Sequence, residues 1–132
     1  YAQFYSGIAV FNFAATEGDV ILYPDLVKVY VEQQNGAIVG VDATNYLMAH
    51  RVRTLPSAEL SQEEAATHVS DAMEVQAVRL ALIPKTAQTE VLCYEFKGSY
   101  RGLNYIVYIN ALNGNEEELF EIIDSDQGQM VV

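Results

Sequence analysis

Two histidines, one cysteine and a few acidic runs are the residues of this chain that could do chemistry. His68 follows Glu64 by four places, a helical spacing that sets an imidazole beside a carboxylate as in a general base. An ordinary solvated i, i+4 pair is the simpler reading. His50 has no second ligand pair near it, so a metal centre lacks its usual spacing. Asp124-Ser125-Asp126-Gln127-Gly128 imitates the opening of a calcium loop, but its glycine comes one place early and the closing glutamate would lie past Val132. Cys93 cannot form an internal disulfide, and in its alternating stretch it reads as a small buried hydrophobe rather than a reactive thiol. No Gly-x-Ser-x-Gly, His-Glu-x-x-His or phosphate-cradling glycine loop occurs. The sequence therefore assigns no catalytic, metal or cofactor-binding residue, no cofactor, and no enzyme activity.

What remains is contact surface. Tyr30 and Tyr108 stand at strand positions read as outward, where tyrosine offers a ring and a polar tip to a partner. Glu116, Glu117 and Glu118 form an acidic run that is either a solvated strand start or a docking patch for a basic partner. These five residues are the candidate partner-binding set.

Seven basic residues against 18 acidic ones give a net charge of −11. A surface so acidic repels phosphate backbones and anionic headgroups, which excludes nucleic acid and membrane contact as expected roles. No run of eighteen apolar residues and no charged-then-apolar leader is present. The chain starts at Tyr1 rather than methionine and is read as part of something longer.

The elements that must position these residues are organised around a hairpin written twice. Val29-Tyr30-Val31 leads to Asn35-Gly36, and Val107-Tyr108-Ile109 leads to Asn113-Gly114, both at an offset of 78. Such a period is a domain repeat, and Asn-Gly between alternating apolar runs predicts tight two-residue turns with φ > 0 at both central residues. Strands are expected over Gln3–Ala15, Val20–Glu32 with a break at Tyr23-Pro24-Asp25, and Ala37–Tyr46. Ser61 and Glu64 form a capping box that opens a helix expected to run to Met73, burying Ala65, Ala66, Val69 and Met73. Four further strands follow: Val78–Pro84, Glu90–Lys97, Leu103–Ala111 and Glu116–Ile123. Val29, Val31, Val39, Val41, Val107, Ile109, Phe120 and Ile122 are expected inside, and Lys28, Glu32, Glu116 and Glu117 outside. The fold class is α+β, in two modules that are each an antiparallel β-meander, with a helix packed on the sheet.

Leu60-Ser61-Gln62-Glu63-Glu64-Ala65, Arg79-Leu80-Ala81-Leu82-Ile83-Pro84, Val91 to Gly98 and Tyr105 to Asn110 resemble a PepSY domain. With Leu22 to Val29 and Tyr46-Leu47-Met48 they are similar to the C-terminal region of YpeB sporulation and germination proteins. The resemblance implies a truncated PepSY-like module of strands only at 1–50, a linker at 51–59, and a complete module at 60–132. It also implies a non-catalytic binding and regulatory module of a spore protein. In that family the partner is the cortex-lytic peptidoglycan hydrolase SleB, each protein stabilising the other, and the anchor to the spore inner membrane lies upstream. The alternative is a purely structural or dimerisation module.

Laid back by 78 residues, the helix of the second module falls ahead of Tyr1. The first sheet is then expected to lack its helix and to expose apolar side chains from Ile8–Phe13 and from the strands around Asn35-Gly36. Apolar patches of that size are rarely left open. A homodimer is the expected cover.

Overall fold

The structure, a computed structural model, describes residues 2–126 and 128–132; of the acidic stretch at 124–128, Gln127 lies outside the described residues. Strands β1 (Ala2–Tyr5), β2 (Ile8–Glu17), β3 (Val20–Glu32) and β4 (Ile38–Asp42) come first, followed by short helices α1 (Thr44–Ala49) and α2 (Gln62–Ala66). Then come β5 (Glu74–Pro84), β6 (Glu90–Tyr100), β7 (Leu103–Asn110), β8 (Glu116–Ser125) and β9 (Gly128–Val131). The protein is mostly β-sheet.

Neighbouring strands pair antiparallel, with one exception. Val20, Ile21 and Leu22 of β3 run parallel to Leu80, Ala81 and Leu82 of β5, which places the strands of both expected meanders in one sheet. Since β2 pairs with both β1 and β3, and Gln3 of β1 meets Gly128 of β9, the ladder closes into a ring. Among the described residues only β4 stands outside the ring, on the edge of β3.

The hairpin repeat survives in detail. Glu32 and Ala37 close the first loop through Glu32 N to Ala37 O and Gly36 N to Glu32 O, and Asn110, Asn115 and Gly114 make the same two bonds 78 residues later. Asn35 Oδ1 accepts from Ala37 N at 2.9 Å, as Asn113 Oδ1 does from Asn115 N at 2.9 Å. Even the irregularity recurs: the register shifts between Tyr30 and Val31 and again between Tyr108 and Ile109. These loops span four residues, however, and only the glycines, at φ 71 and 78, are left-handed. The two-residue turns with two positive φ values lie instead at Ser6-Gly7 and Arg101-Gly102. The first of these splits the expected strand Gln3–Ala15 into the hairpin β1–β2.

Other boundaries moved for local reasons. Ser61 caps α2 as its spacing predicts, with Oγ accepting from Glu64 N at 3.1 Å. The helix nevertheless ends at Ala66, seven residues short of Met73. Thr67 Oγ1 donates to Glu64 O at 2.6 Å and Ser70 Oγ accepts from Ala72 N, so short polar side chains compete for the backbone. The chain goes on in i, i+3 turns that still bury Val69, whereas Ala66 is exposed. Residues 44–46, expected to end a strand, open α1 instead, where Thr44 N donates to Asp42 Oδ1. Strand β9 had no counterpart among the expected elements.

Two packed clusters hold the sheet. On the face that α2 covers, Ala65 and Val69 rest on Leu92, Phe96, Val107 and Ile109. On the opposite face, turned into the ring, Ala81, Ile83, Cys93 and Tyr108 pack with Tyr23 and Phe120. Val107, Ile109 and Ile122 are buried as their alternation predicts, and Phe120, Val29 and Val31 are half-buried. Val39 and Val41 are exposed, against expectation, because β4 has neither a second strand beside it nor a helix over it. Lys28 and Glu32, expected outside, are half-buried between β2 and the β4 hairpin, Glu117 is half-buried against Lys85 and Asn110, and Glu116 is exposed. No helix among the described residues is long and apolar enough to cross a membrane, a statement that does not bear on β-barrels.

Gly98 marks the tightest point of this packing. A Cβ there would lie 2.3 Å from Glu74 O and 2.7 Å from Met73 Cε, where β5 bulges between Val75 and Ala77. Gly98→Ala should therefore destabilise the protein by about 1–3 kcal/mol through forced backbone displacement. Denaturant melts measure this, and an unchanged midpoint would mean that β5 does not approach β6 there.

Candidate functional site

The buried carboxylates come first, because acid–base chemistry would need one of them free. Pro24 cannot donate to a ladder, and the Tyr23-Pro24-Asp25 segment loops out between the pairs Ala15–Leu22 and Ala14–Leu26. Asp25 is thereby turned into the protein, fully buried. It accepts from Arg53 Nη1 at 2.7 Å and Nη2 at 2.6 Å, and His50 Nδ1 lies 2.7 Å away. The His50 ring is stacked on Tyr46 at 4.5 Å. Arg53 also donates to Glu90 Oε2 at 2.9 Å and to Ala49 O at 3.1 Å, and Arg51 reaches the same glutamate. The Arg53 guanidinium, and after it His50, hold the Asp25 carboxyl below the usual carboxylate range.

The second buried carboxylate is Glu95, on the inner face of β6. Tyr23 Oη donates to its Oε2 at 2.5 Å, Tyr108 Oη at 2.7 Å, and Arg79 Nη2 donates to Oε1 at 3.1 Å. The two tyrosine rings meet edge to face at 6.3 Å. Burial first, then the glutamate, pushes both phenol groups well above their ordinary pKa, so they stay protonated and remain donors. Neither carboxylate has an oxygen left over for a substrate proton. Cys93, buried two residues before Glu95 on the same face of β6, has its thiol pushed up to about 12, chiefly by burial, and Glu117 adds to the shift.

Both histidines are occupied by packing. His68 lies over the second hairpin loop, where a Cβ on Gly114 would meet its Nε2 at 2.6 Å. Among the described residues no group of three or more His, Cys, Asp or Glu side chains could hold a metal ion.

The five candidate contact residues do not assemble into one patch. Tyr108 is buried with its hydroxyl on Glu95, so its reading as an outward side chain is corrected: the even positions of β7 face the ring interior. Tyr30, its equivalent in the repeat, is half-buried over Gly40. Glu116 and Glu118 are exposed, while Glu117 pairs with Lys85 and accepts from Asn110 Nδ2 at 3.0 Å. The sequence reading missed Asp25, Arg53, Glu90, Arg79 and Glu95. Arg51 and Arg53 beside a proline segment were the one visible hint of an ion pair; nothing local marks Glu95.

The surface with the most to offer a partner is apolar. By register, Phe11, Phe13, Val29, Val31, Ile38 and Val41 lie on the face that α2 covers elsewhere, and here α2 does not reach them. Ile38 is 67 % exposed, Val41 61 % and Phe13 57 %. Val29 and Val31 are the repeat equivalents of Val107 and Ile109, which Ala65 and Val69 bury.

Comparison with known proteins places these features among relatives. Residues 1–56 match the family described as YpeB sporulation, PepSY1 and PepSY2 domains, and residues 59–119 match the PepSY family, described as peptidase propeptide and YPEB domain. A sporulation protein YpeB from Halalkalibacterium halodurans is 38% identical over 122 residues, and one from Bacillus subtilis is 34% identical over 122. Each match takes up 92% of this chain and 27% of the relative, so the chain spans about a quarter of their length. The solved Bacillus megaterium YpeB C-terminal domain superposes with a TM-score of 0.82 at 36% identity, over 91% of this chain and 54% of that one.

The Asp25 site carries a pH signature. Its carboxyl is held low in the folded protein and returns to about 3.9 on unfolding. The unfolded state therefore takes up the proton first as pH falls, and this contribution to stability is present above about pH 4 and lost below it. Asp25→Asn should lower stability at neutral pH by about 3 kcal/mol and flatten the decline below about pH 4. Glu117 and Asp42, also held low, keep part of that slope. Thermal melts from pH 7 down to pH 3 measure both effects, and parallel curves for the two proteins would exclude the assignment.

Proposed function

Since the chain belongs to the YpeB family of sporulation proteins, in the region of its C-terminal PepSY domains, we propose that it is a non-catalytic binding and regulatory module. In this reading it works with a spore cortex-lytic enzyme, a SleB-type peptidoglycan hydrolase, and the two proteins stabilise each other. The observation that carries it is the contrast between the two kinds of surface. Asp25 and Glu95, the fully buried carboxylates, are saturated by Arg53, His50, Tyr23, Tyr108 and Arg79, while a broad apolar face lies open. Saturated carboxylates position strands, and open apolar faces bind proteins.

The matching family's description supports the same direction, since it names peptidase propeptides, segments that sit on a hydrolase. The acidic balance suits a basic surface on the partner, for which Glu116 and Glu118 are the exposed acids of the second hairpin. The two small modules proposed for the chain, 1–50 and 60–132, are joined by the 51–59 segment that carries Arg51 and Arg53. The proposed location is the outer face of the spore inner membrane, reached through an anchor upstream of this region. A second reading, favoured by the open face itself, is a structural or dimerisation module.

Purified SleB-type hydrolase passed over the immobilised chain is expected to be retained, and heating the mixture should show a higher unfolding midpoint for the enzyme. Absence of both effects with two folded proteins would sink the hydrolase reading.

A further inference from the structure

The early end of α2 leaves a recess on the very face that the helix covers. Past Val69 the chain crosses the sheet in turns, where Ser70 Oγ accepts from Ala72 N at 3.3 Å. Met73 then comes down onto Gly98, whose missing side chain leaves room for its methyl group. Between this segment and the outward residues of β7 and β8 lies a groove of about 400 Å³, floored by Val69 and Val107 and walled by Met73, Tyr100, Tyr105 and Leu119. Val69 and Val107 are buried, while Leu119 is 53 % exposed and Tyr100 is exposed. Ligand sites run from about 300 to about 1,000 Å³ with mostly apolar linings, so this one has room for one or two large apolar side chains.

The rim is acidic. Glu116 lines the groove, and Glu121, opposite Tyr105 in the ladder, shares its face with Leu119. Asp71 and Glu74, both exposed, bracket Ala72 and Met73 on the other wall. Against these four acids stands Arg101, which lies over the Tyr100 ring at 5.1 Å; Lys97 is turned to the opposite face with Ile106. We propose that the groove is a docking site for a segment of another protein that inserts an apolar side chain and carries lysine or arginine on both sides of it. This names the docking chemistry of the binding-module reading and rests on that reading. A second copy of the chain does not supply the segment. Its own apolar residue set between two cations is Val52, in Arg51-Val52-Arg53, and Arg53 there is bound to Asp25 and Glu90. Anionic lipid and nucleic acid are repelled by the same acids.

A labelled Lys-Lys-Leu-Phe-Lys-Lys peptide titrated into the chain, followed by fluorescence anisotropy and amide NMR shifts, tests this. Saturable binding that weakens with added salt is expected, with shifts at Val69, Met73, Tyr105 and Leu119. A Lys-Lys-Ser-Ser-Lys-Lys peptide should bind about tenfold more weakly or worse, because charge alone does not fill the groove. Leu119→Glu should weaken the first peptide as much, although it adds an attractive charge, because it removes the apolar wall. Circular dichroism checks that this exposed position leaves the fold intact. No saturation up to millimolar peptide overturns the proposal, as do equal binding of the two peptides, shifts confined to Phe13 and Ile38, or indifference to Leu119→Glu. The SleB-type hydrolase separates the two readings. Its equal retention by the chain and by Leu119→Glu overturns the groove as the docking site and leaves the binding module standing. Peptide binding without hydrolase retention upholds the groove and removes the hydrolase.

Discussion

A guanidinium withdrawn from water must be surrounded by carboxylates, and the two halves of this protein meet at such a group. Arg53 sits in the segment between them, its bidentate partner Asp25 belongs to the first half and its other partner Glu90 to the second. Removing one member of a buried set like this leaves an uncompensated charge and costs about 3–5 kcal/mol. The direct strand contacts between the halves are three parallel residue pairs, Val20–Leu80 to Leu22–Leu82, and the single β1–β9 pair Gln3–Gly128. The ion cluster and this short seam fix where the linking segment lies, and with it Leu55, which packs against the larger core. Glu95 repeats the theme on the inner face, taking donors from β3, β5 and β7 at once.

One hairpin design serves two purposes here. In its second copy the face is closed by Ala65 and Val69 and the edge is guarded by glutamates; in the first the face is open and the edge bare. Identical loop hydrogen bonds and an identical register shift show that the backbone tolerates either set of side chains. The difference between the copies is therefore chemical rather than architectural. Surface chemistry can change this way without any change of fold.

Much of this was legible in the residues. The 78-residue repeat, the Asn-Gly loops, the Ser61 cap, the break at Pro24 and the burial of Val107 and Ile109 all follow from alternation and local hydrogen-bonding chemistry, which act over a few residues and need no knowledge of what lies opposite. Local chemistry also explains why some boundaries slipped. Thr67 and Ser70 had the side chains to stop α2 early, and Ser6-Gly7 had the composition of a turn.

The sequence by itself settled the repeat, the positions of its two Asn-Gly loops and the family to which the residues point, because each depends on neighbours along the chain. Only the tertiary structure decided which faces are closed and which charges are paired. Asp25 and Arg53 are 28 residues apart, and Tyr23 and Glu95 are 72 apart. Nothing in either neighbourhood announces the partner, since the pairing arises when a looped-out proline segment and a ring of strands bring the groups together. Tyr108 makes the same point for a single side chain. Its alternation with Val107 and Ile109 reads as outward, but the ring closure buries that face as well and sets the hydroxyl on Glu95, where desolvation makes the hydrogen bond obligatory.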